Sequence, residues 1–329
     1  MTAKEALSRA REILDANNIE DAPLECEILL RHVLGITRVQ LYQGINQKLV
    51  PEQEEAFWRL IERRLSHEPT AYITGHCEFY GLDFYVDTRV LIPRSDTELL
   101  VQEALKLAAR HSAKKRRPYL IAEAGTGSGA IAIALAQHLP QAKIYASDIS
   151  VAALEVAAIN CQRHIVEKQV ELLFGDLLEM LPEPVDLIVA NLPYIRDNEM
   201  AELSPEIRLF EPRTALAGGE DGLDKVRQLC RKISDKLHPD GCLLLEVGLG
   251  QSRELATFLR NLYPLAKIKV IPDWSGIDRV VTLTLPSSSG ILFPASVASH
   301  ITKPLSEISP HLDWKTSSTS LVHLDIQFT

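Results

Sequence analysis

A four-residue turn that follows an apolar segment carries the clearest chemical signal in this sequence. Asn191, Leu192, Pro193 and Tyr194 come directly after the apolar residues 187–190. A planar amino group, in a carboxamide or in adenine, is a poor nucleophile because its nitrogen lone pair is delocalised. The side-chain oxygen of the asparagine and the next backbone carbonyl can each accept one N–H, while the tyrosine stacks on the flat face. The turn therefore indicates methyl transfer to such a nitrogen, although it also fits a strand followed by a proline turn and a core tyrosine.

A glycine-rich turn upstream predicts a binding site for a nucleotide-like cofactor. It follows the apolar residues 119–122 and precedes the apolar residues 130–136, a pattern typical of a strand, a turn and a helix. Glycines allow positive φ and let a ligand approach the backbone, and the free N–H groups of a helix start suit a carboxylate or a phosphate. The predicted cofactor contacts in this turn are Gly125, Thr126, Gly127, Ser128 and Gly129.

Acidic residues follow the next two predicted strands. Asp148 comes roughly 20 residues after the glycines, where a carboxylate can bind ribose hydroxyls in a βαβ unit. Asp176 follows residues 172–174, and we expect it to accept from an adenine amine while Leu177 packs on the ring. Both acids also fit a simpler interpretation as solvated carboxylates at strand ends.

The glycines alone do not identify the cofactor, because they also match the dinucleotide pattern G-x-G-x-x-G/A. Three features favour S-adenosyl-L-methionine. They are Glu123 just before the turn, the third glycine at position 129, and the amino-binding turn that begins at Asn191.

Composition restricts the class of protein and its partners. The chain has 329 residues, 46% of them hydrophobic, which suffices for two domains and a sizeable core. No apolar run approaches the roughly 18 residues that span a bilayer, and residues 1–5 lack the apolar stretch of a signal peptide, so we expect a cytoplasmic protein with no membrane contact.

The net charge of −9 opposes direct nucleic-acid binding, and the basic cluster at 114–117 is interpreted as a solvated connector. The five cysteines show neither C-x-x-C spacing nor nearby histidines, so no metal site is expected.

The first part of the chain carries a helical pattern. Residues 1–75 are predicted to form a small helical domain that recognises the substrate. Its first helix has the apolar stripe Leu7, Ala10 and Leu14, its second starts at the N-cap Asp21 and ends at Gly35, and its third follows Pro51. Residues 76–92 are predicted to form a β-hairpin connector, because aromatic and β-branched residues flank a glycine.

Strand and helix patterns then alternate over residues 93–285, which predicts an α/β domain with a Rossmann-like, doubly wound sheet of seven strands. The segments 267–271 and 279–285 are joined by a short loop, so the last strand is predicted to be antiparallel. The tail, residues 286–329, is low in complexity and is expected to be disordered.

Several polar and charged residues outside the two turns are expected to have structural roles. Ser95 or Asp96 is expected to cap the next helix. Glu211 and Arg213 are expected to order a loop over the active site by charge-assisted hydrogen bonds, or else to form a surface salt bridge without consequence. Glu246 is given no role.

Several segments, in order, resemble the HemK/PrmC family of protein-(glutamine-N5) methyltransferases. The matching segments are 21–25, 29–35, 63–64, 68–73, 78–82, 91–98 and 210–223, in addition to the two turns. The resemblance covers about residues 1–285, and the ordered set is specific although each segment alone is weak. It implies an enzyme that uses S-adenosyl-L-methionine to methylate the glutamine N5 in the GGQ motif of class-1 peptide chain release factors. We expect the protein to be monomeric.

The resemblance also implies roles for individual residues. Residues 125–129, Asp148, Leu177 and Asn191 fall on cofactor positions, residues 191–194 fall on substrate positions, and Asn191 and Tyr194 are the catalytic pair. Three residues depart from the family pattern. The family usually has proline at the position of Leu192, where a backbone carbonyl is still present; it commonly has aspartate at Glu123 and often an aromatic residue at Leu177.

Two other functions fit parts of the same pattern. An adenine-N6 methyltransferase acting on RNA or DNA is the main alternative, because Asn-Leu-Pro-Tyr occurs in such enzymes and a flipped adenine presents a similar amine. The helical N-terminus, the segment 93–98 and the acidic balance disfavour it. A binding module without catalysis is the second alternative, and the intact Gly125, Asp148 and Asn191 argue against it.

Overall fold

The computed structural model describes residues 1–112 and 117–287. The predictions for the basic residues 114–116 and for the tail from 288 to 329 lie outside the described residues. Arg117, the last residue of the basic cluster, donates to both carboxylate oxygens of the buried Asp186 at 2.7 and 2.8 Å. Arg117 is exposed, as the prediction of a solvated connector expects, and its charge also neutralises a carboxylate inside the sheet.

Five helices form the N-terminal region. They are α1 (Ala3–Ala16), α2 (Ala22–Leu34), α3 (Arg38–Gln43), α4 (Pro51–Leu65) and α5 (Thr70–Thr74). Their apolar stripes meet in one core, in which Leu14, Leu29, Leu30, Phe57 and Ile61 are buried. The sequence pattern predicts the three long helices but not α3 and α5, which are too short to show a periodic stripe.

The ends of α2 agree only in part with the prediction. Gly35 ends the helix in the left-handed region, with φ of 63°, as expected. Asp21 occupies the N-cap position as predicted, but its side chain makes no capping hydrogen bond. Its own backbone is left-handed, with φ of 53°, whereas a capping residue normally has extended backbone.

A two-stranded hairpin follows the helices. Strands β1 (His76–Phe79) and β2 (Leu82–Tyr85) are antiparallel. Tyr80 and Gly81 at the turn both have positive φ, of 53° and 73°, which is the backbone geometry of a tight two-residue hairpin.

A sheet of seven strands forms the centre of the next region. Its strands are β3 (Leu120–Ala124), β4 (Lys143–Asp148), β5 (Val170–Phe174), β6 (Val185–Ala190), β7 (Leu237–Glu246), β8 (Lys267–Pro272) and β9 (Asp278–Thr284). The strand order is β5-β4-β3-β6-β7-β9-β8, and β9 is antiparallel to both of its neighbours. The prediction of a seven-stranded doubly wound sheet with an antiparallel last strand is confirmed.

Helices cover both faces of this sheet. The helices are α6 (Glu98–Ser112), α7 (Ala130–His138), α8 (Val151–Arg163), α9 (Pro205–Phe210), α10 (Asp224–Arg231) and α11 (Ser252–Leu262). The first three share one apolar core with the sheet, and α10 and α11 share a second core with it. Strand order reverses at β3, so a crevice opens at the carboxyl ends of β3 and its neighbours, the usual place for a ligand in such sheets. Across the described ranges, no helix is long and apolar enough to cross a membrane.

Candidate active site

A cavity lies at the carboxyl ends of β3, β4, β5 and β6. It is lined by these predicted residues: Gly125, Thr126, Gly127, Ser128, Asp148, Asp176, Leu177, Asn191, Leu192 and Pro193. Gly129 and Tyr194 are not part of the lining. The lining also includes residues that the sequence did not single out as ligands, among them Phe79, Arg89, Arg94, Thr97, Ile149 and Lys225. The fold therefore brings the glycine turn, the two strand-end acids and the Asn191 turn to one cavity.

The glycine turn adopts the conformation that its composition predicts. Gly125 and Gly127 have φ of 75° and 56°, in the region that favours glycine. The N–H groups of Gly125 and Thr126 both donate to the Ser147 carbonyl at 2.9 Å, which ties the turn to the end of β4. A Cβ atom at Gly125 would stand 3.1 Å from Cδ2 of Leu192, so the glycine turn and the Asn191 turn are in close contact.

Glu123 places a carboxyl group beneath the glycine turn. Glu123 is 1% exposed. Its Oε2 accepts from the Thr126 hydroxyl at 2.7 Å and from the Ala132 N–H at 3.0 Å. Burial raises the pKa of Glu123 to about 8, and the two hydrogen bonds oppose that shift only in part. A buried acid of this kind favours a positively charged ligand in the cavity, because a nearby cation stabilises its ionised form.

The strand-end acids differ in their surroundings. Asp148 accepts from the Gly127 N–H at 2.8 Å and from the Ser150 N–H at 2.9 Å, which fixes its carboxylate beside the glycine turn. Asp176 accepts from Gln228 of α10 at 2.6 Å and lies 3.4 Å from the Lys225 ammonium group. Asp176 thus ties α10 to the cavity in addition to lining it.

Leu177 follows Asp176 in an uncommon backbone conformation. Its φ is 55°, and its carbonyl accepts a hydrogen bond from the Ser147 hydroxyl. The side chain is buried, at 6% exposure, and lines the cavity. The structure thus presents an apolar surface where the sequence predicts packing on an adenine ring.

The Asn191 turn begins where the fully buried strand β6 ends. The Asn191 amide nitrogen, Nδ2, donates to the Thr97 hydroxyl oxygen at 3.0 Å. Within residues 1–112 and 117–287, neither Asn191 Oδ1 nor the Leu192 carbonyl accepts a hydrogen bond. The two oxygens that the sequence identifies as acceptors therefore both lack a donor among these residues, and both residues line the cavity.

Tyr194 lies behind the turn, beside the end of β7. Its hydroxyl is 3.5 Å from Oε1 of Glu246, and a Cβ atom at Gly248 would stand 3.0 Å from the edge of its ring. Its backbone carbonyl accepts from Gln251 at 2.8 Å. Burial raises the pKa of Tyr194 to about 12, so its hydroxyl is neutral at physiological pH. Stacking of this ring on a substrate stays a prediction.

The segment 210–223 packs directly on the Asn191 turn. The carboxylate of Glu211 is buried and forms an ion pair with Arg94, which lines the cavity, whereas Arg213 is exposed. A Cβ atom at Gly218 would stand 2.8 Å from the Pro193 carbonyl oxygen. Of the two residues that were predicted to order this loop, Glu211 therefore helps to hold it at the cavity.

The segment before α6 is a site element and not a cap. Residues Ser95–Thr97 form a short 3-10 turn without a capping side chain. Asp96 instead pairs with Arg279 at 2.9 Å, and Thr97 bonds Asn191, so the predicted capping role is wrong. The partners of this segment, Asn191 and Arg279, are remote in the sequence, so no local pattern indicates the contacts. The resemblance to the HemK/PrmC family was the only sequence signal that marked the segment as part of the site.

Known proteins match this chain over most of its length. Residues 5–75 match the PrmC N-terminal domain family, and residues 97–211 match the methyltransferase small domain family. A release factor glutamine methyltransferase from Moorella thermoacetica is 41% identical over 280 residues, which cover 85% of this chain and 97% of the relative. One from Geobacter sulfurreducens is 41% identical over 282 residues, which cover 85% and 95%.

One solved structure shows the same fold at low identity. The hMettl16 catalytic domain, in complex with the MAT2A 3′UTR hairpin 6, aligns with a TM-score of 0.51 at 13% identity and covers 64% of this chain and 77% of that chain. This likeness supports the methyltransferase fold alone. The identity to the bacterial relatives is far higher and confirms the resemblance seen in the sequence, so the chain belongs to the release factor glutamine methyltransferase family, whose members use S-adenosylmethionine as methyl donor.

Proposed function

We propose that this enzyme methylates the side-chain amide nitrogen, N5, of the glutamine in the GGQ motif of class-1 peptide chain release factors. The observation that carries the proposal is the pair of available acceptors, Asn191 Oδ1 and the Leu192 carbonyl, beside the cavity of the glycine turn. The names of the relatives support the release factor as the substrate.

The residues of the cavity fit S-adenosyl-L-methionine. The backbone of residues 125–129 is open to a ligand, and the carboxylate of Asp148 is oriented beside it. Asp176 and Leu177 supply a polar and an apolar contact for an adenine ring, and Glu123 favours a cationic ligand. When bound, the cofactor supplies an electrophilic methyl group on a cationic sulfur.

The Asn191 turn is proposed to orient the substrate amide. Asn191 Oδ1 and the Leu192 carbonyl each accept one N–H of the glutamine NH₂ group, which aims the nitrogen lone pair into the cavity. The new bond from the nitrogen to the methyl carbon would replace the bond from that carbon to sulfur, whose electron pair would stay on the sulfur and make it neutral. The nitrogen would gain positive charge in this exchange, so both acceptors would bind it more strongly in the transition state than in the ground state. The cationic nitrogen is a strong acid and would then lose one proton to water, so no strong base is needed. Such orientation can supply several kcal/mol of the roughly 7–11 available in the best aligned systems.

Other parts of the chain are proposed to serve recognition. Tyr194 stacks on the substrate amide, Pro193 shapes the turn, and the helical domain, residues 1–75, binds the release factor. The hairpin connector at 76–92 joins it to the catalytic domain, residues 93–285. A monomeric state, the absence of nucleic-acid binding and a cytoplasmic location stay predictions.

Mass spectrometry tests the proposal. The purified protein is incubated with isotopically labelled S-adenosylmethionine and a class-1 release factor, and the methyl group is then located in the digested release factor. We expect one methyl group on the GGQ glutamine, and none on a release factor in which that glutamine is replaced by alanine. Label on RNA or DNA adenine, with an unmodified release factor, would instead support the adenine-N6 alternative.

A further inference from the structure

The orientation of the Asn191 amide decides whether the turn can bind a substrate NH₂ group. An asparagine side chain has an oxygen that accepts and a nitrogen that only donates, and the two are nearly equal in size. With Oδ1 toward the cavity, Asn191 accepts from the substrate. With Nδ2 toward the cavity, it would place a donor against another donor. Some feature of the protein must therefore distinguish the two orientations.

Thr97 is the residue that contacts the other end of this amide. It is 4% exposed, and its hydroxyl oxygen accepts from Asn191 Nδ2 at 3.0 Å. A hydroxyl group has one hydrogen to donate. If that hydrogen pointed at Asn191, the amide would turn its oxygen to Thr97 and its nitrogen to the cavity. The direction of the Thr97 hydrogen thus sets the orientation of Asn191.

Glu246, at the end of β7, has a buried carboxylate oxygen, Oε2, that accepts no hydrogen bond from residues 1–112 and 117–287, and its other oxygen, Oε1, lies 3.5 Å from the Tyr194 hydroxyl. Glu246 is 2% exposed; burial raises the pKa of Glu246 to about 7, and the neighbouring Thr97 and Tyr194 hydroxyls act to lower that pKa. An ionised carboxylate only accepts hydrogen bonds. Its unpartnered oxygen can therefore take the single hydrogen of Thr97 and leave the hydroxyl oxygen free to accept from Asn191.

We propose that Thr97 and Glu246 are positioning residues that hold Asn191 with its oxygen toward the substrate amide. The ionised Glu246 accepts from Thr97, Thr97 accepts from Asn191, and Asn191 is left to accept from the substrate. The proposal rests on the proposed glutamine methylation and adds two residues to it. Neither of them needs to touch the reacting atoms.

Substitutions at Thr97 test the role of its hydroxyl group. We expect Thr97→Val, which keeps the shape, to lower kcat on the release factor by about 10- to 100-fold, because misplaced catalytic groups cost rates on this scale. The KM for the release factor and the affinity for S-adenosylmethionine should change far less. Thr97→Ser should restore most of kcat. Thr282→Val is the matched control, because Thr282 is a buried threonine of β9, at 8% exposure, and should leave kcat unchanged.

A pH profile tests the part played by Glu246. Protonated Glu246 can donate to the Thr97 oxygen and free the Thr97 hydrogen for Asn191, so kcat should fall as the pH is lowered through about 7. The charged groups that act on Glu246 are Asp96, which raises its pKa, and Arg279, which lowers it. Glu246→Gln should lower kcat and remove this step, with all rates measured at saturating cofactor. An unaltered step in Glu246→Gln would overturn the role of Glu246.

Two outcomes separate this proposal from the proposed function. If the wild type methylates the release factor and a folded Thr97→Val variant keeps full kcat, the positioning role is wrong and the function stands. If the wild type does not methylate the release factor, the proposed function is wrong. Neutron diffraction from deuterated wild-type crystals then still reports the amide orientation, and Nδ2 directed into the cavity would overturn the positioning role.

Discussion

Arg64 of α4 and Glu206 of α9 form an ion pair of 3.0 Å, although 142 residues separate them in the chain. Arg64 also donates to Glu25 of α2 at 3.0 Å, and its side chain is only 6% exposed. The network connects the N-terminal helices to the segment that follows the Asn191 turn. The N-terminal helices and the segment that follows the Asn191 turn thus share one buried cation.

Removal of this cation should destabilise the fold. We expect Arg64→Met to lower the free energy of unfolding by about 3 kcal/mol, because Glu25 and Glu206 would lose their common partner in a partly buried place. Arg59→Met is the control, since Arg59 pairs with Glu55 at the surface, with side-chain exposures of 62% and 70%. That change should cost at most about 0.5 kcal/mol. Urea unfolding measures both, and equal losses would contradict the prediction.

Asn191→Ala should abolish turnover while the affinity for S-adenosylmethionine falls only modestly. Alanine removes one of two acceptors for the substrate amide, a kind of loss that lowers kcat by about 100-fold or more. Methylation kinetics and calorimetry separate the two quantities. Asn261→Ala, at an exposed position of α11, serves as the control. Unchanged turnover in Asn191→Ala would remove the proposed mechanism.

The ring and the hydroxyl of Tyr194 should contribute differently. Tyr194→Phe keeps the ring and loses only a long contact of 3.5 Å to Glu246, so it should retain much of the activity. Tyr194→Ala should lose most of it, because the stacking surface is gone. Both variants are compared by kcat on the release factor. An equal collapse in the two variants would show that the hydroxyl is essential.

Gly222 should resist substitution more strongly than Gly250. Both have left-handed backbone, with φ of 78° and 79°, so alanine costs about 1–2 kcal/mol of backbone strain at each. A Cβ atom at Gly222 would also overlap the Tyr194 carbonyl oxygen, whereas one at Gly250 meets no atom within 4 Å. We therefore expect Gly222→Ala to lower kcat at least tenfold more than Gly250→Ala, because only the substitution at Gly222 displaces the Asn191 turn. Similar kinetics and melting temperatures for the two variants would contradict the prediction that the close contact between Gly222 and Tyr194 positions the Asn191 turn.

Binding of S-adenosylmethionine should release a proton from Glu123. In the free protein burial raises the pKa of Glu123 from 4.5 to about 8, so the group is protonated over most of that interval. A cationic ligand favours the ionised form, and affinity should therefore rise as the pH increases from 4.5 toward 8. Near neutral pH, the calorimetric binding enthalpy should depend on the ionisation enthalpy of the buffer. Glu123→Gln should remove that dependence, and its persistence in this variant would assign the proton to another group.

Much of the fold and of the cavity could be predicted from the sequence because those features are local. Gly125 and Gly127 report backbone conformations that other residues rarely adopt, and each strand-end motif follows its own apolar run. Parallel strands align their carboxyl ends, so Asp148 and Asn191 had to reach the same edge of the sheet once the alternation was recognised. The short helices α3 and α5 gave no such pattern.

Only the tertiary structure decided which remote residues complete the site. Thr97 and Asn191 are 94 positions apart, and Arg94 meets Glu211 across 117 positions, so neither spacing carries a local signal. The place of Tyr194 beside Glu246 depends on the register of β6 against β7. Hydrogen bonds and ion pairs of this kind form between any suitable groups that packing brings together, and that packing depends on the whole chain. The sequence by itself thus determined the chemistry of the turns, and the fold determined what orients them.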